Sequence, residues 1–202
     1  MSLFLQTISL VKKDIRLEWR QKYAISGIFL YLATVIFVVY LSFTEIKANT
    51  WTALLWIILL FTAVNAIAKS FVQESANRQL YYYSIAHPQA IILAKMIYNI
   101  LVMTLLTVLG VGFYSLFAGF PVVDKTSFFL ALVAGSIAFA MIFSMISAIA
   151  SKAGNSSTLM AILSFPLLIP VLKILLEISN NSLVVNDLSI NLASLLILVA
   201  LD

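Results

Sequence analysis

Side chains able to carry out chemistry are few in this chain and far apart along it. Among 202 residues there is no cysteine, one histidine (His87) and eight Asp and Glu residues. Disulfides, thiolate metal sites and covalent haem attachment all need cysteine, so the composition excludes them. No G-x-x-x-x-G-K-[ST] phosphate-binding loop occurs in the sequence either. If the protein works with ATP, another subunit must therefore bind the nucleotide.

The most informative polar stretch is residues 70–84, SFVQESANRQLYYYS. Its apolar residues recur on one helical face: Val72, Ala76, Leu80 and Tyr83. Glu74 precedes Arg78 by four residues, the order that stabilises a helix. Pro88 disfavours helical geometry in the residue before it, so we expect an amphipathic helix that ends ahead of His87. Two interpretations stay open: a helix resting at the membrane interface, or a docking surface built around Tyr81–Tyr83.

The N-terminal stretch Leu3–Tyr23 predicts a second amphipathic helix. Its apolar stripe is Phe4, Ile8, Val11, Ile15 and Trp19. Lys12, Arg16 and Arg20 form a basic ladder away from that stripe. This combination is typical of a helix lying on the inner leaflet of a membrane. The helix either anchors the chain or moves with a transport cycle, and the pattern does not separate the two.

Near the C-terminus, the stretch SFPLLIPVLKILLE contains Pro166 and Pro170. Each proline removes a backbone hydrogen bond and crowds the preceding turn, so we expect the helix to kink or break there. The bend is either a static feature of packing or a hinge. Lys173 and Glu177 lie four residues apart further along, and we expect them to pair at the membrane boundary.

Five long apolar runs must position these residues. They are Ile25–Phe43, Trp51–Ala68, Met96–Phe117, Phe128–Ala150 and Leu159–Leu176. Each approaches the ~20 residues that an α-helix needs to cross ~30 Å of hydrocarbon. A chain of this length cannot bury five such helices in a soluble core. With 63% hydrophobic and 10% charged residues, the sequence predicts an all-α integral membrane protein forming one domain over residues 1–202.

A sixth apolar run, Leu192–Leu201, is too short to cross the membrane. Ten residues of helix rise only ~15 Å, which would leave Asp202 deep in hydrocarbon at a cost of ~2.5–3.5 kcal/mol. We therefore expect either a longer natural chain or an interfacial tail.

The positions of the Lys and Arg residues predict the orientation. Of twelve, five precede the first span, three lie between spans two and three, and one lies between spans four and five. These nine face three on the other side: Lys47, Lys125 and Lys173. The positive-inside rule then places the N-terminus in the cytoplasm. The charged first 22 residues contain no continuous signal-peptide core, so the first span is expected to insert uncleaved.

The order of these elements resembles the CcmB family, haem exporter protein B of cytochrome c maturation, a relative of ABC-2-type permeases. The stretches that carry the resemblance are Phe71 with Glu74, Pro88 with Ile92–Lys95, and Phe165–Pro170. The resemblance covers essentially the whole chain. It implies a six-span permease bundle, with the sixth span incomplete, in a bacterial inner membrane.

By this resemblance the chain is a non-catalytic permease subunit powered by a separate, cytoplasmic CcmA-like ATPase. A CcmC-like haem-handling membrane subunit is the other implied partner, beside the lipid bilayer; no nucleic acid is implied. Haem is a candidate substrate of the complex, and its release with a periplasmic chaperone is linked to ATP use. The sequence shows no evident haem ligand, since His87 is alone in a loop. The residues expected to couple to the ATPase are Phe71, Glu74, Arg78, Leu80, Tyr81, Tyr82 and Pro88.

The chain departs from the family pattern at Asn77–Tyr81, where members often carry a Gly-x-Leu-Glu run and a second acid. A contact between that second acid and the ATPase is therefore not expected here. Two other functions stay open. An ABC-2-type exporter permease for a lipid, drug or glycan would share the fold and the coupling helix. A membrane-embedded lipid enzyme would need clustered polar groups, whereas the acids here are isolated.

Overall fold

The computed structural model describes residues 3–20, 23–67, 86–151 and 156–183. These residues form helices joined by short connections, and no strand occurs within the described ranges, so the predicted all-α fold class is confirmed. The helices are α1 Leu3–Arg20, α2 Tyr23–Ser42, α3 Ala48–Ile67, α4 Pro88–Ala118, α5 Lys125–Ala150 and α6 Ser156–Asn181. The predicted helix 70–84 and the run 192–201 lie outside the described residues, and the count of six spans stays a prediction.

Four described helices are long and apolar enough to cross a membrane: α3, α4, α5 and Thr158–Asn181 within α6. The apolar part of α2, Ser26–Ser42, is shorter. Helix α4 has 31 residues and spans about 46 Å, well beyond the ~30 Å of hydrocarbon. It begins eight residues before the apolar run Met96–Phe117. The start of an apolar run shows where a helix enters the membrane, whereas the helix itself can begin earlier.

Helix α3 lies at the centre of the bundle and contacts α2, α4, α5 and α6. Nearly half of its residues are buried: Trp51, Thr52, Leu55, Trp56, Ile58, Leu59, Thr62, Ala63 and Ile67. Trp51 and Trp56 are among the largest fully buried side chains of the described chain. The core is thus built around the buried side chains of α3, which the other helices enclose.

Helix α5 packs closely on both α4 and α6 because its buried face is rich in small residues. That face includes Ala131, Gly135, Ser136, Ala138, Ala140, Ser144 and Ser147. Small residues let helix backbones approach each other, which is the main source of helix association where lipid replaces water. At Gly135 even a methyl group would meet Trp56 at 2.6 Å.

Helices α2 to α6 alternate in direction, since the start of α3 is bonded to the residue after α4 and to the end of α6, and the bundle therefore has two ends. The α1 end holds the starts of α2, α4 and α6 and the ends of α3 and α5. The far end holds the opposite termini, and there the N–H groups of Val123 and Asp124 donate to the carbonyl oxygen of Ser182 at 3.1 and 2.9 Å. These bonds join the α4–α5 loop to the residue that follows α6.

Candidate functional site

Helix α1 packs against α4, and its predicted apolar stripe is divided between buried and exposed positions. Ile8 and Val11 are half-buried, whereas Phe4 and Ile15 are 71% and 42% exposed; among the described side chains of α1, Thr7 is the most buried. Lys12 and Arg16 of the basic ladder are exposed as well. The two ends of the stripe, Phe4 and Ile15, are therefore left to contact the membrane surface, with the cations beside them. The side chains of Trp19 and Arg20 lie outside the described part of the chain.

The start of α4 is bound to α1 at the point where the predicted coupling segment rejoins the bundle. His87 is the N-cap residue of α4 and Pro88 occupies the first helical position, where a proline's missing N–H costs nothing. The His87 carbonyl accepts from the N–H groups of Ala90 and Ile91 at 2.9 and 3.2 Å. The His87 N–H donates to Gln6 Oε1 at 3.2 Å. We call this contact the α1–α4 junction.

Among the predicted coupling residues, only Pro88 lies in the described part of the chain. The others, Phe71, Glu74, Arg78, Leu80, Tyr81 and Tyr82, fall outside it. The junction residues Gln6 and His87 were missed by the sequence reasoning, which treated the N-terminal helix and the region before α4 as separate. No pattern in the sequence signals a contact across that separation.

Buried polar pairs link α4 to α5 in the middle of the bundle. Asn99 Nδ2 donates to Ser144 Oγ at 2.7 Å, and both residues are almost fully buried. One turn further along, the hydroxyls of Thr104 and Ser136 lie 3.3 Å apart. Hydrogen bonds of this kind hold membrane helices together at about 0.6 kcal/mol each on average. The sequence does hold a signal for the first pair, since Asn99 interrupts an otherwise apolar run.

At the far end, tryptophan and asparagine side chains of α3 and α6 bind neighbouring elements. Trp51 Nε1 donates to the carbonyl of Gly119 at 3.0 Å, and Trp56 Nε1 donates to Ser179 Oγ at 2.8 Å. Thr52 Oγ1 donates to Asn180 Oδ1 at 2.6 Å. Together with the bonds to Ser182, these contacts tie α3, α6 and the α4–α5 loop into what we call the far-end clamp.

Aromatic rings reinforce the far-end clamp. Trp51 stacks on Tyr114 with ring centroids 5.0 Å apart and lies 5.9 Å from both Phe120 and Phe128. Asp124 caps α5 by accepting from the N–H groups of Thr126 and Ser127. Hydrogen bonds from Ser127, and then from Thr126, lower the pKa of the Asp124 carboxyl from its usual 3.8. The clamp therefore combines ring packing with saturated polar groups.

The two prolines of α6 do not break the helix, which is continuous from Ser156 to Asn181. The predicted break is absent, and the hinge stays a prediction. Pro166 is exposed and Pro170 half-buried, while Leu168 and Val171 face the core. Each proline leaves the carbonyl four residues earlier, that of Ile162 or of Pro166, without its helical donor. The helix is locally weakened on its outward side.

Lys173 and Glu177, both described and both exposed, form no ion pair with each other, contrary to the expectation. The acid follows the base along the helix here, which is the less favourable order for a pair four residues apart. With both side chains exposed, little free energy holds them in one geometry.

A comparison with protein families finds a matching model, described as CcmB protein, over residues 5–202. The match covers nearly the whole chain, including all of the described helices except the first two residues of α1. The comparisons with curated proteins and with solved structures found no match.

Proposed function

This chain belongs to the CcmB family, and from that premise we propose that it passes ATP-driven movement from a separate ATPase into the membrane. Members of the family are membrane components of the haem-exporting ABC system of cytochrome c maturation, and their subunit is a non-catalytic permease. The chain is accordingly a multi-pass membrane protein. Which residues meet the ATPase, and how the movement travels, are the proposal.

The entry point in this proposal is segment 70–84, which docks on the ATPase on the cytoplasmic side. It lies between two spans, α3 and α4, so a displacement of the segment reaches both. Leu80, Tyr81 and Tyr82 supply the apolar and aromatic area that dominates interface energies. Glu74 and Arg78 orient the contact, and Phe71 is the further apolar residue assigned to it. The nine-to-three distribution of cations supports a cytoplasmic location for this segment.

The observation that carries the proposal is the α1–α4 junction. Because His87 N–H binds Gln6 Oε1 and α1 packs along α4, a movement of residues 86–88 is coupled to α1. A helix that rests on the membrane surface and is bound to α4 acts as a lever at that surface. The push is then shared between a transmembrane helix and an interfacial one.

The far-end clamp sets where the movement can go. Its bonds from Trp51, Thr52 and Trp56 hold α3 and α6 at that end. The α1 end therefore moves more than the far end, and the helices tilt about the clamp. The weakened backbone around Pro166 and Pro170 lies in α6 between the two ends and is the proposed hinge.

We propose further that haem is cargo of the complex and is handled with a CcmC-like membrane subunit. His87 is the one histidine of the chain, and it is exposed at the α1 end. A residue at that end is not placed to bind haem on the opposite side of the membrane, where the haem leaves. The contribution of this chain to release of the haem-loaded periplasmic chaperone is movement.

Co-purification of the ATPase subunit with tagged variants of this chain tests the proposal. We expect the double variant Leu80→Ala, Tyr82→Ala to lose most of the bound ATPase and to lower cytochrome c assembly. Glu74→Gln alone is expected to do little, because exposed charges contribute less than about 1 kcal/mol.

The matched control is Tyr40→Ala with Leu41→Ala, which removes the same two residue types. Tyr40 and Leu41 are 45% and 68% exposed at the far end of α2, away from the proposed contact. This variant should retain the ATPase. Full ATPase binding and full assembly in the Leu80/Tyr82 variant would reduce segment 70–84 to a membrane anchor.

A further inference from the structure

A groove of about 480 Å³ runs between α4 and α5. Its volume falls in the range of roughly 300–1,000 Å³ that is usual for ligand sites. Most of its walls are apolar side chains: Val108, Val111, Phe120, Phe129, Leu132 and Val133. Val108 and Phe129 are 63% and 52% exposed, so the groove opens on the outer surface of the bundle. In a membrane, that surface faces lipid.

Three of the four hydroxyl groups in the groove wall donate to backbone carbonyls of their own helix. Thr104 Oγ1 donates to the carbonyl of Ile100, Ser115 Oγ to that of Gly112 and Ser136 Oγ to that of Val133. Each of these bonds is 2.8–3.0 Å long. Thr107 Oγ1 has no hydrogen-bond partner among the described residues, and this atom is buried. The wall therefore presents carbon atoms, which suits a hydrocarbon occupant.

The length of the groove matches one leaflet of a bilayer. From Thr104 to Ser115 the lining residues of α4 cover about 16 Å, close to half of the ~30 Å of hydrocarbon. Gly112 widens the groove, because a Cβ added there would meet nothing within 4 Å. A single acyl chain of one leaflet has room to lie between the two helices.

The far end of the groove carries a positive charge. Lys125, the first residue of α5, lines the groove, is exposed and has no ion-pair partner within the described chain. The neighbouring carboxylate of Asp124 is taken up by the N–H groups of Thr126 and Ser127. The Lys125 ammonium is thus free to bind an anion at the depth where an acyl chain meets its headgroup.

We propose that this groove binds one acyl chain of an anionic phospholipid, with the lipid phosphate at Lys125. A helix of a partner subunit is the other occupant that would fit a groove of this length. Three of the four hydroxyls already donate within their own helix and the fourth is buried, which favours the lipid, since a partner helix in a membrane gains from polar groups that remain available to it. The inference does not depend on ATPase coupling or on haem.

Native mass spectrometry of the whole chain tests the proposal, after equilibration with equal amounts of phosphatidylglycerol and phosphatidylcholine. We expect the wild-type chain to retain one phosphatidylglycerol in preference to phosphatidylcholine. Lys125→Gln should lower that preference about fivefold, the effect of one basic residue at an anionic lipid surface. Lys47→Gln, which removes another exposed far-end lysine, should leave the preference unchanged.

A second pair of variants tests the groove itself. Gly112→Leu fills the groove and should abolish the retained lipid, whereas Gly27→Leu should not. Gly27 is the matched control, because it too is a helical glycine with nothing within 4 Å of an added Cβ. Thermal unfolding of both variants checks that each is folded. Equal lipid retention in the two glycine variants, or no preference in the wild type, would overturn the proposal and leave the groove to a partner's helix.

Discussion

Replacing Gly135 by alanine is the sharpest test of how the bundle packs. The added Cβ would lie 2.6 Å from Cη2 and Cζ3 of Trp56 and 3.0 Å from Cδ1 of Leu175. Trp56 has little freedom to withdraw: it is 1% exposed, its Nε1 is bound to Ser179 Oγ, and its ring lies edge-on to Phe139 at 6.0 Å. Relief of the clash must therefore shift a helix or break a bond of the far-end clamp.

The expected cost follows from two opposing effects. Overpacking a filled core costs about 1–3 kcal/mol, while replacing a helical glycine by alanine recovers about 0.8–1.0 kcal/mol. With the indole held in place, we expect Gly135→Ala to lose about 1–2 kcal/mol of stability. Gly110→Ala is the matched control, because its added Cβ would meet Leu59 and Leu32 methyl groups at 3.4–3.5 Å, an ordinary contact. That variant should gain about 0.5–1 kcal/mol.

The assay is reversible unfolding of both variants in mixed micelles, titrated with a denaturing detergent and followed by tryptophan fluorescence. The two variants should change stability in opposite directions, and their stabilities should differ by about 1.5–3 kcal/mol. Equal stabilities for Gly135→Ala and Gly110→Ala would refute the close contact between α5 and Trp56. Adding Ser179→Ala shows how the clash is relieved: it should cost the same on both backgrounds if a helix shifts and the Trp56–Ser179 bond is kept, and less on the Gly135→Ala background if that bond breaks.

Three further predictions concern the junction, the cap and the orientation. Gln6→Leu, which removes the acceptor of the His87 N–H, should lower cytochrome c assembly two- to fivefold, as loss of one hydrogen bond of about 0.5–1 kcal/mol predicts; Gln6→Glu should preserve it, and ATPase co-purification should be unchanged in both. Because folding lowers the pKa of Asp124, its carboxylate should stabilise the fold by a constant amount above pH 3.8, the usual pKa, and this stabilisation should be lost as the pH falls below that value. Thermal unfolding of Asp124→Asn should lack this pH dependence. With no native cysteine in the chain, cysteines at Asn49 and Val123 should react with an impermeant thiol reagent on spheroplasts and one at Asn155 should not; labelling at Asn155 would invert the proposed orientation.

The class of fold could be predicted from the sequence because apolar length is a direct requirement of the bilayer. An apolar run as long as Phe128–Ala150 is explained by a helix that crosses the membrane. The ends of helices were harder to place. Helix α4 begins at Pro88, eight residues before the apolar run that predicted the span. The only sequence signal for that start is the preference of proline for the first position of a helix.

The face used for packing could not be read from amphipathicity. On α1, Phe4 and Ile15 of the apolar stripe are exposed while Ile8 and Val11 are half-buried, and the most buried described side chain is Thr7, beside the stripe. In a membrane, apolar residues gain as much from lipid as from protein, so a stripe does not reveal which it faces. The apolar stripes that identify the packing faces of helices in soluble proteins do not identify them in a membrane protein.

Contacts between distant residues were also beyond the sequence. The bond between Thr52 and Asn180 joins residues 128 positions apart, and that between Gln6 and His87 joins residues 81 positions apart. Periodicity reports on neighbours within one helix and carries nothing about such pairs. The groove beside Lys125 could not be predicted for the same reason, since residues of both α4 and α5 form it.

The measurement that tests the central claim most directly is double electron–electron resonance on the complete complex, with and without trapped ATP. One spin-label pair, at Lys12 and Ile149, reports on the α1 end, and a second pair, at Thr44 and Val123, reports on the far end; all four positions are exposed or nearly so. If movement enters at the α1–α4 junction and tilts the helices about the far-end clamp, the first distance should change on ATP binding and the second should stay the same. A change confined to the far-end pair, or an identical α1-end distance in both states, would contradict the account.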